Sequence, residues 1–125
     1  MDIFSKRISI SVDDAGSFLK IILSRNGRKM IAMTCMPDED NSLLLCDIEP
    51  YQRKRDIGNG YSSMMMSELL KYATQNGINE IHGNLSPVDQ DHKDRLHHFY
   101  EKFGFEIEIY EELRDGYYGK IRKKL

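Results

Sequence analysis

Leu43-Leu44-Leu45-Cys46-Asp47-Ile48, then Arg55-Asp56-Ile57-Gly58-Asn59-Gly60, then Tyr61, Met65, Leu69, Tyr72 and Ala73, form the stretch that decides the fold. The first run is nearly all apolar, the pattern of a central strand covered on both faces. Pro50 ends it. Tyr51 to Asn59 is a polar loop that holds Gln52, Arg53, Lys54 and Arg55. The apolar positions from Tyr61 to Ala73 recur at i, i+4, i+8, i+11 and i+12, which is one face of a helix. Asn76-Gly77 is a helix stop. Ile78 to Leu85 reads as the next strand, with Pro87 beyond it. A strand, a helix and a strand in this order make a parallel, right-handed unit.

Working outward, the segments on either side read as strands. Arg7 to Val12 alternates, with Ile8, Ile10 and Val12 on one face. Asp13-Asp14-Ala15-Gly16 breaks it. Phe18 to Ser24 and Lys29 to Met36 are apolar runs joined through Asn26-Gly27, a strong hairpin signal because both residues tolerate positive φ. Pro37 to Asn41 reads as a polar turn. Downstream, a second helix spans Asp91 to Phe103, with Leu96, Phe99, Tyr100 and Phe103 on one face and Gly104 to close it. Phe105, Ile107 and Ile109 alternate with polar neighbours. Arg114-Asp115-Gly116 turns the chain into a last strand, Tyr117 to Arg122. The order is β-β-β-β-α-β-α-β-β. The class is α+β, with a mixed, mostly antiparallel sheet around one central strand-helix-strand unit.

The whole chain, residues 1–125, fits one domain. At 40% hydrophobic and 30% charged residues its composition is that of a soluble globular protein. No apolar run reaches the roughly 20 residues that a membrane span needs. Met1 to Arg7 carries charge and no long apolar stretch, unlike a secretory signal. The two cysteines, Cys35 and Cys46, have no CxxC spacing, so no disulfide or zinc framework is expected. Both read as small buried apolar residues. A net charge of −2 argues against a nucleic-acid partner, whose binders are usually basic. These features together point to a reduced, cytoplasmic domain.

The glycine loop offers chemistry. The first amides of a helix have no backbone partner, and the helix dipole adds partial positive charge there. Glycines remove the Cβ atoms that would hold an anion away. Arg53, Lys54 and Arg55 bring positive charge, and Ser62 and Ser63 bring hydroxyl donors. The segment lacks the third glycine of a dinucleotide fingerprint and the Gly-Lys-Ser/Thr of a P-loop. A plain glycine-rich turn with solvated charges is the competing reading.

Two motifs together carry a resemblance. The R-x-x-G-x-G of Arg55 to Gly60, set between a buried strand and a helix, and Phe99-Tyr100-Glu101-Lys102-Phe103-Gly104-Phe105 resemble the GCN5-related N-acetyltransferase family. The similarity covers about residues 43–110, and the flanking strands fit that family's sheet. It implies an acyl-CoA N-acyltransferase-like fold and acetyl-CoA as cosubstrate, with no metal. It also implies that loop amides hold the coenzyme's pyrophosphate, while its pantetheine arm lies between strands that splay apart. Two registers of the loop are open. The literal match puts the glycines at Gly58 and Gly60. Counting back from Ala73, the family's core alanine, gives Ile57-Gly58-Asn59-Gly60-Tyr61-Ser62, with Ser62 in place of the last glycine. Helix spacing favours the second register. The implied cofactor-binding residues are Arg55, Ile57, Gly58, Asn59, Gly60, Tyr61, Ser62 and Ser63. Ile48 joins them, because the family's oxyanion donor is a backbone amide near the end of that strand.

The resemblance makes Tyr100 the group that protonates the departing thiolate. A phenol with a pKa near 10 is protonated at neutral pH and can donate. Without the resemblance, Tyr100 reads as core, flanked at helical spacing by Phe99 and Phe103. No general base stands out; Asp47 and Glu49 share one strand face, and His82 lies on the neighbouring strand. Seven residues before Tyr100, where the family often has asparagine, stands Lys93, which reads as solvated. His92, His97 and His98 lack metal-ligand spacing and read as surface or structural residues. Met64-Met65-Met66 reads as helix core. Lys120, Arg122, Lys123 and Lys124 face Glu106, Glu108, Glu111 and Glu112 in a cross-strand charge pattern.

The family usually has two helices between its first two strands, and here Asp13 to Ser17 is all that intervenes. The fold is therefore shortened at its N-terminal helices, and the acceptor site is either open or completed by a second copy in a homodimer. Two functions follow. One is an acetyl-CoA-dependent N-acetyltransferase acting on an amine of a small molecule or protein. The other is a non-catalytic acyl-CoA-binding or protein-interaction module.

Overall fold

The computed structural model describes residues 7–14, 16–51, 60–88 and 93–125. Its elements are β1 (Ile8–Asp13), β2 (Leu19–Arg25), β3 (Arg28–Asp38), β4 (Ser42–Pro50), α1 (Tyr61–Gln75), β5 (Glu80–Leu85), α2 (Lys93–Lys102), β6 (Glu106–Arg114) and β7 (Tyr117–Lys124). The element order is the expected one. The seven strands form one sheet in the order β1-β2-β3-β4-β5-β7-β6. β4 and β5 are parallel, and every other pair is antiparallel.

The boundary between β3 and the turn after it differs from the sequence reading. β3 runs on through Pro37 to Asp38, with Pro37 opposite Leu43, so the turn shrinks to a 3-10 turn at Glu39–Asn41. The Asp38 carboxylate accepts from the Glu39 N–H at 2.8 Å and caps that turn. Asn79 then fastens the turn to the end of α1, with Nδ2 donating to the Asp40 carbonyl at 2.7 Å and its backbone N–H donating to Asn41 O at 2.9 Å. The described part of the second helix begins at Lys93, since 89–92 lie outside the described residues.

The core lies on one face of the sheet. Leu19, Ile21, Leu23, Ile31, Met33 and Cys35 join Leu43, Leu45, Ile81, Leu85 and Ile121 there. Tyr61, Met65, Met66, Leu69 and Ala73 of α1 and Tyr100 of α2 pack on the same face. The helical stripe read for α1 is therefore its buried face. Met66 adds to it, whereas Met64 is exposed. With both helices on one side, β4 is not covered on both faces as its apolar run suggested. Leu44 is half-buried and Cys46, Asp47 and Glu49 are exposed. No helix stands between β1 and β2 among the described residues, so the fold is shortened there as expected. Tyr72 of α1 instead reaches that connection, its hydroxyl donating to the Asp14 carboxylate at 3.2 Å. Burial first, and the Asp14 carboxylate second, raise the Tyr72 phenol above its ordinary pKa.

The cross-strand charge pattern holds in part. Lys120 meets Glu108 at 3.3 Å, and Arg122 lies between Glu80 at 3.5 Å and Glu106 at 3.8 Å. These exposed pairs contribute little to stability.

The parallel pairing of β4 with β5 is short. It runs from Ser42–Glu80 to Leu45–Gly83 and stops. β5 continues against β7, from Asn84–Lys120 to Leu85–Gly119. β4 continues against β3, from Asp47–Thr34 to Pro50–Ile31. Opposite β4, Cys35 pairs with Leu45 and Thr34 with Asp47, which leaves Cys46 as an extra residue. Such a bulge bends and twists its strand, and here it falls where β4 parts from β5. Gly83 sits at the vertex. A Cβ there would lie 3.1 Å from the Leu45 carbonyl oxygen and 3.3 Å from the Ile121 side chain. We expect Gly83→Val to wedge the strands apart before the vertex and to cost about 1–3 kcal/mol. Urea denaturation monitored by circular dichroism measures it; an unchanged midpoint would show that the vertex is not closely packed.

Candidate active site

Past the vertex the parted strands leave a cleft of about 120 Å³. Leu45, Cys46, Asp47 and Ile48 of β4 form one wall, Gly83, Asn84 and Leu85 of β5 the other, and Ile121, Leu96 and Tyr100 complete it. Of the residues expected from the sequence, it brings together Ile48 and Tyr100.

Ile48 presents its backbone. The Tyr51 N–H donates to Met30 O on the β3 side at 2.9 Å. N–H groups alternate sides along an antiparallel strand, and no register shift falls between Asp47 and Pro50. Asp47 and Glu49 therefore turn their N–H groups toward β3. Ile48 turns its N–H the other way, into the gap that β5 has left.

Tyr100 is 8% exposed. Its ring packs edge-on against Phe105 at 5.5 Å and tilted against Phe99 at 5.5 Å. Tyr100 is part of the core, as its helical spacing suggests, and it also borders the cleft. One part of the ring is wedged among aromatics, and the residue borders the cleft.

The glycine loop is described only from Gly60 on; Arg55, Ile57, Gly58 and Asn59 lie outside the described residues. Gly60 precedes α1 at φ 75°, in the left-handed region that favours glycine. It gives the helix no side-chain cap, and the first turn holds no acidic residue. Tyr61 turns its side chain into the core and is not a surface contact. Ser62 and Ser63 are half-buried in the first turn. Ser63 has a partner that the sequence reading missed. Lys102 Nζ, from the last turn of α2, donates to Ser63 Oγ at 2.9 Å. A cation is thus held beside the positive end of α1, where an anion would be favoured and a cation would not. Lys102 lies inside the Phe99–Phe105 motif, which was its one signal.

Around the cleft several single-residue readings change. Cys35 is buried as expected, and burial pushes its thiol up to about 12. Cys46 is exposed, because the bulge turns it out of the core. Partial burial and, less, the Asp47 charge raise its thiol above the usual range. Glu49 has its carboxyl raised, first by a hydrogen bond shared with Asp47 and then by that neighbour's charge. Lys93 is not simply solvated, since its Nζ lies 5.4 Å from the centre of the Tyr118 ring. No group of three metal-ligating side chains is found among the described residues.

The architecture matches known structures. An acetyltransferase from Bacillus subtilis in complex with CoA superposes with a TM-score of 0.70 over 97% of this chain and 99% of that one, at 11% identity. The fold is that of the GCN5-related N-acetyltransferases. PaiA N-acetyltransferase from Thermoplasma acidophilum, in complex with coenzyme A, gives a TM-score of 0.64 at 16% identity over 87% of this chain and 62% of that chain. IAA acetyltransferase from Bacillus cereus gives 0.66 at 14% identity over 97% and 100%. By sequence, 78 residues are 34% identical to the uncharacterized protein YocC of Bacillus subtilis (strain 168). The match takes in 62% of this chain and 44% of that protein, so it spans less than half of that relative's length. No family model matches the chain. Among the described residues no helix is long and apolar enough to cross a membrane.

Solvent access separates the two thiols of this acetyltransferase-fold chain. Iodoacetamide should modify native protein once, at Cys46, and urea-unfolded protein twice. Peptide mass spectrometry reads the sites, and native labelling of Cys35 would contradict the packing described.

Proposed function

We propose that the chain is an acetyl-CoA-dependent N-acetyltransferase acting on a primary amine of a small molecule or protein. The observation that carries this reading is the parting of β4 from β5 with the Ile48 N–H turned into the gap. Three features of the chain fit the coenzyme. The cleft is open between two strands. The start of α1 has no acidic side chain and no side-chain cap. Lys102 stands at that start. The pyrophosphate would be held by the amides from Ile57 to Ser63, with Lys102 and Arg55 as cations beside it. Solved proteins of the same fold in complex with CoA support the choice of ligand.

Acetyl-CoA, when bound, supplies an activated thioester. The residues of the chain then have three tasks. The cleft walls hold the thioester beside the gap, so that attack by the amine becomes effectively unimolecular. The Ile48 N–H donates to the carbonyl oxygen as negative charge grows on it; loss of one such donor typically costs about 10²–10³ in rate. Tyr100 gives its phenolic proton to the departing sulfur, which leaves as a neutral thiol. Asp47 and Glu49 stand beside the bulge, on the sheet face that carries no helix among the described residues. That face is open to solvent among the described residues, and we assign it to acceptor entry. Neither carboxylate is assigned as a base: the amine attacks in its neutral form, and the proton its nitrogen then sheds passes through water and restores the Tyr100 phenol.

The competing reading, a non-catalytic coenzyme-binding module, has three observations behind it: no helix between β1 and β2 among the described residues, Ser62 in place of a motif glycine, and Lys93. Lys93 stands where the family often has asparagine, and it rests on Tyr118. Two measurements separate the readings. Acetyl-CoA at 100 times its Kd should stabilise the fold by about 2.7 kcal/mol in a thermal-shift titration, and no shift at millimolar ligand would contradict both. Given binding, thiol release with a panel of amines identifies an enzyme. Tyr100→Phe should then lower kcat by about 10²-fold with binding of acetyl-CoA nearly unchanged. Equal loss of binding and turnover would assign Tyr100 to packing.

A further inference from the structure

Lys93, Leu96, His97 and Tyr100 follow one another at i, i+3, i+4 and i+7 and so share one face of α2. Leu96 and Tyr100 border the cleft. Lys93 and His97 take hold of something else. His97 Nε2 and Tyr118 Oη are hydrogen-bonded at 2.9 Å, and the two rings stack with centres 5.9 Å apart and planes 28° apart. Lys93 Nζ sits 5.4 Å from the same ring. Tyr118 is 7% exposed while Lys93 and His97 are half-buried, so this grip is partly sheltered from water. Its neighbour Gly119 pairs with Leu85, the last residue of β5 and part of the cleft wall. A Cβ on Gly119 would strike the Glu108 carbonyl, so β7 is itself tightly seated at this point. Tyr118 is therefore a fixed anchor beside the cleft.

We propose that His97 is a positioning residue for Tyr100. Its hydrogen bond to Tyr118 sets the rotation of α2 on the sheet, and with it the place of the Tyr100 phenol at the cleft. Phe99 and Phe105 pack against the Tyr100 ring itself, whereas the His97 bond acts on the helix that carries it. A hydrogen bond has a required distance and angle, and it acts here one helical turn from Tyr100. The polar tie at the other end of α2, from Lys102 to Ser63, is exposed. Proton delivery needs its donor within hydrogen-bond reach of the sulfur, and a displacement of 1 Å at a reacting centre can cost about 10²-fold in rate. This assignment rests on the acetyl-transfer reading above.

The test assays thiol release from acetyl-CoA by the full chain. The acceptors are a panel of primary amines, namely a polyamine, a lysine peptide and an aminoalcohol. Rates are normalised to the protein that binds acetyl-CoA, so that any misfolded fraction drops out. His97→Ala and Tyr118→Phe should each lower kcat about tenfold, with KM for acetyl-CoA changed by less than about twofold. His97→Gln keeps a side chain that bonds a hydroxyl and should recover most of the loss. In a Tyr100→Phe background His97→Ala should cost nothing more, because the group it positions is already gone. Multiplying losses in that double variant would overturn the assignment, as would an unchanged kcat in His97→Ala or no recovery in His97→Gln. A wild-type chain that releases no thiol overturns the acetyl-transfer reading and this assignment together. A wild-type chain that turns over while His97→Ala does so equally overturns this assignment alone.

Discussion

The parallel contact between β4 and β5 ends at Leu45 and Gly83, and what is distinctive in the structure depends on that ending. Up to this pair the two strands hold each other and bury Leu43, Leu45 and Ile81 in the core. Beyond it each strand has its other neighbour alone. Cys46 is inserted at the parting and Gly83 closes the vertex. Had the pairing continued, the Ile48 N–H would be spent on β5, and the cleft would be sheet. The parting leaves a row of backbone groups facing a gap in the middle of a well-packed fold. Those groups need a hydrogen-bond partner, and in an open cleft that partner is water or a bound ligand.

The two helices share the work on one face. α1 brings its uncapped start to the same end of the sheet as the open gap, because a parallel strand-helix-strand unit must begin its helix beyond the end of its first strand. α2 covers the far wall and carries Leu96 and Tyr100 to the cleft. Lys102 to Ser63 links the helices at the end of α2, and His97 to Tyr118 links the middle of α2 to β7. On the opposite face of the sheet, among the described residues, stand Lys20, Ile22, Leu44, Asp47 and Glu49 and no helix. Anything that enters the gap from that side meets β4 and its exposed Asp47 and Glu49 first.

Much of this was legible in the sequence, for physical reasons that can be named. The order of elements follows from period-2 and period-3.6 apolar patterns, and the buried stripe of α1 is the one read from Tyr61 to Ala73. Two things misled. The run Leu43 to Ile48 looks like a strand buried on both sides. Apolar content cannot reveal a bulge, and the bulge exposes Cys46 while its neighbour Leu45 stays buried. Pro37 looked like a turn residue, yet it lies inside β3 opposite Leu43, near the end of the strand. The positions of Gly60 at the start of α1 and of Ile48 and Tyr100 at the cleft were legible. Lys102 and the His97–Tyr118 pair were not, since each depends on contacts between residues 21 to 39 positions apart in the chain. No local pattern encodes such a meeting.

Hydrogen exchange of individual amides, measured by NMR with and without acetyl-CoA, decides whether the gap between β4 and β5 holds the coenzyme. The ligand is placed against the Ile48 N–H in the gap and against the amides that open α1. Slowed exchange at Ile48 and from Gly60 to Ser63, with Asp47 and Glu49 unchanged because their N–H groups already face β3, is the predicted result. Protection that spares Ile48, or that falls equally on Asp47, Ile48 and Glu49, would contradict the account.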